Sequence, residues 1–349
     1  MLQSHWNKAL LDLVRHLGPD NVFVSVLESG SWDGSKNALR ELDVQLERMG
    51  VPRSIVLDAA THKDEVERDP KPGEPGWIWT SRGQREIRRI PYLANLRNRV
   101  MDEMQGAVTK DPKPFTKVLW LNDVVFTVED VLTLMSTNGG NYAAACSLDF
   151  ARPPSFYDTF ALRDAAGNKP ITQTWPYFFS SASRGAVVAD ADVVPVQSCW
   201  NGMVIMDAAP FSDTHQPLRF RGIPDTLAAR HLEGSECCLI HADNPLSALK
   251  GVWLNPHVRV AYSGDAYVAV NPTGRGWPSV SERIRGMWYN RCWRLFGKIR
   301  FFGEDYVVRR RLEDWTAGDT GGEGANKEVA AHCLINEMQV LVENGWKHV

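Results

Sequence analysis

Apolar residues near the start of the chain alternate between strand-like and helix-like spacing. Residues 22–27 form a short apolar run, residues 35–49 carry leucine and methionine on one helical stripe, and residues 53–58 form a second apolar run. Gly50 follows the stripe where a glycine commonly ends a helix. This strand–helix–strand order predicts the start of a parallel α/β sheet.

The most specific apolar run lies at residues 117–126. Four apolar or aromatic residues lead into Asn122 and Asp123, and three more apolar residues follow. The pattern predicts a buried strand that ends at a carboxylate, facing the crevice where open α/β sheets bind ligands. A carboxylate beside an amide oxygen suits Mg²⁺ or Mn²⁺. The alternative interpretation is that Asp123 only caps the following turn.

The same alternation continues through the rest of the chain. Helices are predicted near residues 90–104 and 128–135 and after Ser235, strands at 142–149, 203–207 and 258–262, and irregular aromatic structure at 153–181. After about residue 275 the pattern is helical and cationic, then rich in glycine at 318–324, and a final helix is predicted at 326–344. We therefore expect a principal domain at 1–274 and a C-terminal helical extension at 275–349.

Two groups of polar residues precede the strand that ends at Asp123. Glu28, Ser29 and Gly30 end the first strand, where small residues let a nucleotide approach the backbone. They are equally compatible with a plain turn. Arg97 and Asn98 lie on a predicted helix, from which an arginine can pair with a diphosphate and an asparagine can hold a ribose or base edge. The alternative is a solvent-exposed pair.

Two later features carry further candidate chemistry. Trp200, Asn201 and Gly202 combine an aromatic face for a sugar ring, a two-way hydrogen-bonding amide and room for a ligand, although a buried tryptophan in a tight turn fits equally. Glu236 begins a helix, whose dipole stabilises its charge, so it is either a site carboxylate or a first-turn acid with no chemical task. Asp149 with Glu236 also permits a paired-carboxylate glycosidase, although the sequence does not fix their separation.

Composition narrows the function classes. The 349 residues are 44% hydrophobic and 23% charged, which is ordinary for a globular protein, and the net charge of -3 gives no basic field for nucleic acid. No run of 18 apolar residues predicts a membrane span, and residues 1–6 lack the basic and apolar regions of a signal peptide. Serine-hydrolase, dinucleotide-binding and P-loop motifs are absent from the sequence.

The spacing of the six cysteines argues against a structural zinc site. No Cys-x-x-Cys occurs, so a structural zinc site is not predicted. An even count permits disulfides without requiring them. The pairings considered are Cys292 with Cys333, and Cys199 with either Cys237 or Cys238.

Six short motifs in a fixed order carry a resemblance to a known family. They are Leu121-Asn122-Asp123-Val124, Ala145-Cys146-Ser147-Leu148-Asp149, Tyr157-Asp158 with Arg163-Asp164, Ser198-Cys199-Trp200-Asn201-Gly202, Ser235-Glu236-Cys237, and Asn255-Pro256 with Val258-Arg259-Val260. The series closely resembles the fungal capsule-associated (Cap59-like) α-1,3-mannosyltransferases of glycosyltransferase family 69. The resemblance covers roughly residues 20–265.

The resemblance implies a fold and an activity. The fold is a GT-A-like, Rossmann-type α/β domain with a mixed, mainly parallel sheet flanked by helices, followed by the C-terminal helical appendage. The activity is transfer of mannose from GDP-mannose to a mannose-containing oligosaccharide, with an α-1,3 link and retention. Family members are typically type II proteins of the Golgi lumen, whose N-terminal anchor is not in this chain. Mn²⁺ is the implied cofactor, with Mg²⁺ as the second choice.

The resemblance also implies roles for individual residues. Asp123 would bind the metal, with Asn122 in the place of the first acid of the usual Asp-x-Asp, and Glu236 matches an acid that faces the acceptor. Tyr262 and Ser263 stand where GT-A enzymes often carry a third ligand, a histidine. The donor-binding candidates are Glu28, Ser29, Gly30, Arg97, Asn98, Trp200, Asn201 and Gly202, and the catalytic candidates are Glu236 and Asp149. The alternatives are a transferase for another nucleotide sugar and a non-catalytic carbohydrate-binding scaffold on a decayed transferase fold.

Overall fold

The computed structural model describes residues 2–110, 115–318 and 326–349, with side chains described except at 105, 107–110 and 297–302. The helices are α1 (Asn7–Leu17), α2 (Ser35–Arg48), α3 (His62–Glu67), α4 (Arg89–Lys110), α5 (Val128–Ser136), α6 (Ser181–Val188), α7 (Asp225–Ala228), α8 (Glu236–Asp243), α9 (Ser247–Lys250), α10 (Gly264–Val270) and α11 (Val280–Ala317). The strands are β1 (Val24–Ser29), β2 (Arg53–Asp58), β3 (Trp77–Trp79), β4 (Arg85–Ile87), β5 (Lys117–Leu121), β6 (Ala144–Arg152), β7 (Ser155–Phe156), β8 (Arg163–Asp164), β9 (Val194–Ser198), β10 (Met203–Asp207), β11 (Glu233–Gly234), β12 (Val252–Ala261), β13 (Leu334–Ile335), β14 (Gln339–Val342) and β15 (Gly345–His348).

A seven-stranded mixed sheet forms the centre of the fold. Its order is β5-β10-β6-β12-β9-β8, with β7 paired to β6. The prediction of a mixed sheet flanked by helices is confirmed, but the prediction that it is mainly parallel is wrong. Among the described strands of this sheet, β6 and β12 form the one parallel pair and the other five pairings are antiparallel. A strand buried on both faces has the same apolar pattern whichever way it runs. Periodicity therefore does not show whether neighbouring strands are parallel or antiparallel.

The first strand–helix–strand unit forms as predicted. Strands β1 and β2 pair in parallel in register Val24–Arg53 to Ser29–Asp58, as a two-stranded sheet of their own. Helix α2 ends near Met49, and Gly50 follows with φ of 71°, a left-handed conformation that glycine adopts without strain. This local prediction needed only sequence-adjacent contacts.

Two apolar layers cover the central sheet. Alternate residues of β10 point to opposite faces, so that Val204 and Met206 join one buried cluster while Met203 and Ile205 join the other. The second cluster also contains the buried stripes of α1 and α2, including Leu42. Both sheet faces are therefore covered, and the polar residues at the strand ends border the resulting two-sided core.

The C-terminal segment differs from its prediction. Helix α11 is confirmed, but the predicted final helix at 326–344 is wrong, because residues 334–348 form three short strands. Strand β13 pairs with β11, and β14 and β15 form a hairpin. Of the glycine-rich stretch at 318–324, all but Gly318 lies outside the described residues. The domain boundary at 274 stays a prediction, although β13, which lies beyond it, pairs with β11 of the predicted principal domain.

Two disulfides join distant parts of the chain. Cys146 on β6 is bonded to Cys199, and Cys238 on α8 is bonded to Cys333, while Cys237 and Cys292 are free. All three pairings considered from the sequence are wrong, because pairing depends on tertiary proximity that spacing does not encode. In the described part of the chain, no helix combines the length and apolarity needed to cross a membrane.

Candidate active site

A tight turn before β10 lies at the centre of the candidate site. Asn201 and Gly202 have φ angles of 46° and 81°, and the Gly202 carbonyl accepts a hydrogen bond from the Asn122 backbone N–H at 2.9 Å. A Cβ on Gly202 would lie 2.8 Å from the Val260 side chain and 3.0 Å from the Asp149 Cβ. The glycine therefore lets the turn approach β6 and β12 closely, and joins the Asn122 segment to them.

Asp149 is a fully buried carboxylate behind this turn. It accepts hydrogen bonds from Asn201 Nδ2 and the Tyr262 hydroxyl, each at 3.0 Å, and from the Asp158 backbone N–H at 3.2 Å. Burial, with the nearby Asp158 charge, raises the pKa of Asp149 to about 6 despite these donors. Asp149 therefore changes its protonation state near mildly acidic pH.

Asp158 is a second acid, for which the sequence predicts no role beyond its place in the motif series. One of its carboxylate oxygens accepts from the backbone N–H groups of Phe160 and Ala161, at 3.0 and 3.2 Å. Burial raises the pKa of Asp158, although those hydrogen bonds oppose the rise. The Asn201 side chain donates to both Asp149 and the Asp158 carbonyl. Asn201 thus holds the two acids together.

Arg97 lies among three aromatic rings. Its guanidinium stands 4.4 Å from the Trp200 ring centroid, 5.6 Å from that of Trp120 and 5.7 Å from that of Phe220. Its Nε donates to Glu236 Oε1 at 3.1 Å. Burial opposes the charge, but Cys237 and Glu236 raise the pKa of Arg97 above its ordinary value. These contacts connect α4 with the first residue of α8.

Trp200 and Asn98 make protein contacts instead of presenting open surface. Trp200 is 2% exposed, and its indole N–H donates to Asn122 Oδ1 at 3.1 Å. The Asn98 side chain donates to the Phe220 carbonyl and accepts from the Phe220 N–H, at 2.8 and 3.0 Å. Trp200 therefore supports Asn122 from behind, and Asn98 fixes one wall of the aromatic group around Arg97.

Glu236 reaches the site because α8 begins at that residue. The Ser235 hydroxyl accepts a hydrogen bond from the Cys237 backbone N–H at 3.2 Å, so Ser235 is the N-cap of α8. The preceding strand is fixed by a buried ion pair in which Arg88 Nη2 lies 2.7 Å from Glu233 Oε1. Glu236 is 3% exposed and next to buried Cys237, whose thiol has its pKa raised by burial.

Asp123 has the most open carboxylate of the group. It is exposed, and no side chain among the described residues bonds to it. Desolvation by the surrounding protein raises the pKa of its carboxyl nonetheless. Its neighbour Asn122 is held by Trp200 and, through its carbonyl, by the Trp6 indole N–H at 3.0 Å. Two hard oxygen donors are thus adjacent, one fixed and one open.

This donor set fits a divalent cation only in part. Mg²⁺ and similar ions are commonly held by one or two carboxylates together with substrate phosphates and water, which Asp123 and Asn122 permit. Among the described residues, two groups of three possible ligands occur, Cys146 with Cys199 and His241, and Cys238 with His332 and Cys333. Both contain a disulfide, whose sulfurs are not thiolate ligands.

The first-strand candidates contact protein groups. The Ser31 N–H donates to a Glu28 carboxylate oxygen, and the Ser29 hydroxyl lies 3.0 Å from the Tyr92 hydroxyl. A Cβ on Gly30, where φ is 70°, would lie 2.2 Å from the Ala60 carbonyl oxygen. Gly30 is therefore required by the backbone of the neighbouring loop, and nucleotide binding by these three residues stays a prediction.

Arg89 is a site residue that sequence reasoning missed. The charges of Glu236 and Asp158 act on it, while burial lowers the pKa of its guanidinium. Arg89 Nη1 donates to Gln339 at 2.6 Å, and its guanidinium lies 4.4 Å from the Trp346 ring centroid. The C-terminal hairpin therefore positions a second cation at the edge of the acid group.

Two surface cavities lie away from this group. One of about 390 Å³ is lined by Val66, Trp79, Gly83, Gln84, Arg85, Glu86, Ile87 and Leu341, and one of about 190 Å³ by Pro154, Thr174, Trp175, Pro278, Glu282, Arg285, Gly286 and Tyr289. None of the site candidates lines either cavity. We locate the site from its converging acids and its open carboxylate.

The family described as Cryptococcal mannosyltransferase 1 matches residues 1–243. The chain belongs to this mannosyltransferase family. A relative from Cryptococcus neoformans, an α-1,3-mannosyltransferase named CMT1, is 27% identical over 270 residues. That match covers 73% of this chain, and the chain spans 54% of the relative's length. No solved structure matches the chain.

The family match includes most of the site described above. Asp123, Asp149, Asp158 and Glu236 all lie within residues 1–243, whereas Tyr262 lies beyond them. Family membership confirms the resemblance drawn from the six motifs, and it supports the prediction of a glycosyltransferase. The individual roles of the site residues stay predictions.

Proposed function

We propose that the chain is a glycosyltransferase that moves mannose from GDP-mannose to a hydroxyl of a mannose-containing glycan, with an α-1,3 link and retention. The observation that carries the proposal is the convergence of Asp149, Asp158 and Glu236 with Arg97 in a member of a mannosyltransferase family. Asp123 is joined to this group through its neighbour Asn122, which Trp200 holds beneath Arg97. The named activity of the relative supports the linkage. A GT-A-like arrangement is part of the proposal, supported by the β1–α2–β2 unit and by β5, which ends at Leu121 directly before Asn122 and Asp123.

Charge balance supports a divalent metal in this reaction. The site gathers several acids, and Arg97 is already paired with Glu236. A nucleotide diphosphate entering such surroundings needs additional positive charge. We propose Mn²⁺, or Mg²⁺, held by Asp123 with Asn122 beside it. When bound, the ion supplies the charge that stabilises the departing diphosphate.

The protein groups divide into those that face substrate and those that position them. Glu236 orients the acceptor hydroxyl or shields positive charge at the sugar carbon, and Arg97 holds the Glu236 carboxylate in place. Both carboxylate oxygens of Asp149 accept hydrogen bonds, whereas the bonds described for Glu236 are all to Oε1, so we assign Asp149 a positioning role through Asn201 and Tyr262. The fully bonded state of Asp149 disfavours the paired-carboxylate glycosidase, in which both carboxyl groups must act on the sugar.

The two disulfides support a location in the secretory pathway. Disulfides persist in oxidising compartments and are rare in the cytosol. Together with the family, they support the proposal that the full-length protein works in the Golgi lumen. A membrane anchor outside this chain belongs to the same proposal.

Release of GDP from GDP-mannose tests the function directly. The assay is run with α-mannobiose as acceptor, with Mn²⁺, Mg²⁺ or a chelator, and UDP-sugars serve as alternative donors. Metal-dependent release that rises with acceptor supports the proposal. Turnover confined to another nucleotide sugar would identify that sugar nucleotide as the donor. Binding of the donor without turnover would support the carbohydrate-binding scaffold. Methylation analysis of the product identifies the linkage.

A further inference from the structure

The first half of α11 exposes a face of large apolar side chains. Val280, Ile284, Trp288 and Leu295 are spaced four, four and seven residues apart, so they share one side of the helix, and Phe296 lies at its edge. Their exposed fractions are 76% for Val280, 59% for Ile284, 60% for Trp288, 71% for Leu295 and 69% for Phe296. Soluble proteins rarely expose so many large apolar side chains together, so such a face indicates an interaction surface.

Contacts on the opposite side fix the orientation of this face. A Cβ on Gly286 would lie 2.0 Å from the Trp175 carbonyl oxygen, so the helix backbone packs closely on that loop. The buried Asn290 side chain donates to the Phe178 carbonyl at 3.4 Å. The packed side of α11 therefore faces the protein, and the apolar side faces solvent.

Positive charge surrounds the apolar face. Residues 280–296 contain four arginines, at positions 283, 285, 291 and 294, and one acid, Glu282, although the whole chain has a net charge of -3. Arg285 and Arg291 are exposed, and the Arg291 guanidinium lies 5.4 Å from the Trp288 ring centroid. A cation is thus held beside an exposed indole.

We infer that this face of α11 binds the surface of an anionic lipid membrane. A helix with an apolar face, tryptophan and flanking cations lies in the interface between headgroups and acyl chains. Indole rings favour that interface because one part is apolar and the N–H is polar. A second copy of the face would place arginines against arginines, so charge complementarity favours an anionic partner over self-association.

Vesicle flotation of the full chain tests the inference independently of sugar transfer. Vesicles of phosphatidylcholine alone are compared with vesicles that also contain phosphatidylserine. Ile284→Ser with Trp288→Ser is expected to lower binding to the anionic vesicles by about tenfold or more, because buried apolar area drives interfacial binding. The matched control is Leu249→Ser with Val268→Ser, at positions 80% and 68% exposed on other helices, and it should bind as the unmodified chain does.

A second variant tests how much the arginines contribute to vesicle binding. Arg285→Gln with Arg291→Gln should weaken binding to phosphatidylserine vesicles and reduce its dependence on salt. Circular dichroism of each variant checks that the fold is retained. Vesicle binding that survives loss of Ile284 and Trp288 overturns the inference. Self-association that the same two serines abolish, without vesicle binding, overturns it in favour of a protein interface.

Discussion

Asp123 and Asp149 lie near the ends of two strands, β5 and β6, that run in the same direction on either side of β10. Asp149 is fully buried and accepts three hydrogen bonds, two from the side chains of Asn201 and Tyr262. Asp123 is exposed, and no other described side chain bonds to it. The inner acid therefore stabilises the architecture of the site, whereas the outer acid keeps its bonding capacity for a ligand.

The difference separates two kinds of substitution. Changing the outer acid should affect catalysis with little effect on stability, because no other side chain in the described part of the protein bonds to it. Changing the inner acid, or the turn that packs on it, should affect stability or its pH dependence first. Four substitutions test this division.

Asp123→Ala has the largest expected effect. It should lower GDP release by on the order of 10³-fold, because the proposed metal loses its carboxylate ligand. The melting temperature should change by no more than about 2 °C, since an exposed unpaired carboxylate contributes little to the fold. Asp69→Ala, at another exposed aspartate, is the matched control. An unchanged rate would remove Asp123 from the site.

Gly202→Ala tests the inner side of the comparison. It should destabilise the fold by about 3 kcal/mol, because the added Cβ collides with Val260 and the φ of 81° strains any residue other than glycine. Urea unfolding measures the loss. Gly274 also has a positive φ, of 70°, but no atom lies within 4 Å of an added Cβ. Gly274→Ala therefore measures the loss of stability that comes from backbone strain alone. Equal losses for the two variants would contradict the packing argument.

Arg97→Lys tests the connection between the two sides. Lysine keeps the charge but cannot reproduce the planar stacking on Trp200 together with the Nε bond to Glu236, so kcat/KM should fall by about tenfold. Arg99→Lys, two positions along α4 in a more exposed pair with Asp58, should leave the rate nearly unchanged. Similar losses of kcat/KM in both variants would show that any substitution on α4 lowers activity, and would contradict a specific role for Arg97.

Asp149→Asn has the smallest expected effect, which is a change in how the free energy of unfolding depends on pH. The folded pKa of about 6 lies above the ordinary value of 3.8, so the folded protein retains this proton to higher pH than the unfolded chain does. Stability from this group is therefore present below about pH 4 and is lost as pH rises through about 6. Asparagine keeps the shape and can donate to Tyr262, so its unfolding curves should lose part of that slope. The remaining pH dependence of stability should come from Asp158, whose pKa is also raised.

Local features were predictable from sequence. Strand β5 ends at Leu121, directly before Asn122 and Asp123, and Ser235 caps the helix that begins with Glu236, because both depend on residues adjacent along the chain. The partnership of Asp149 with Tyr262 joins residues 113 positions apart. Neither periodicity nor motif spacing contains that contact.

The sequence contains one signal against the helix wrongly predicted at the C-terminus. Apolar residues at 334–346 fit a helical stripe, but Asn344-Gly345 is a strong signal for a tight hairpin turn. Gly345 has a φ of 99° in the hairpin of β14 and β15. The pairing of β13 with β11 and the position of Arg89 against Gln339 and Trp346 depend on long-range packing, so they could not be predicted from that turn alone.

The disulfide between Cys238 and Cys333 has a consequence for biosynthesis. During translation, Cys238 is added to the chain 95 residues before Cys333. The Glu236 side of the site is therefore tethered only after Cys333 has been synthesised, and Arg89 gains Gln339 and Trp346 only after those residues follow. Completion of this side of the site therefore depends on oxidation of Cys238 and Cys333.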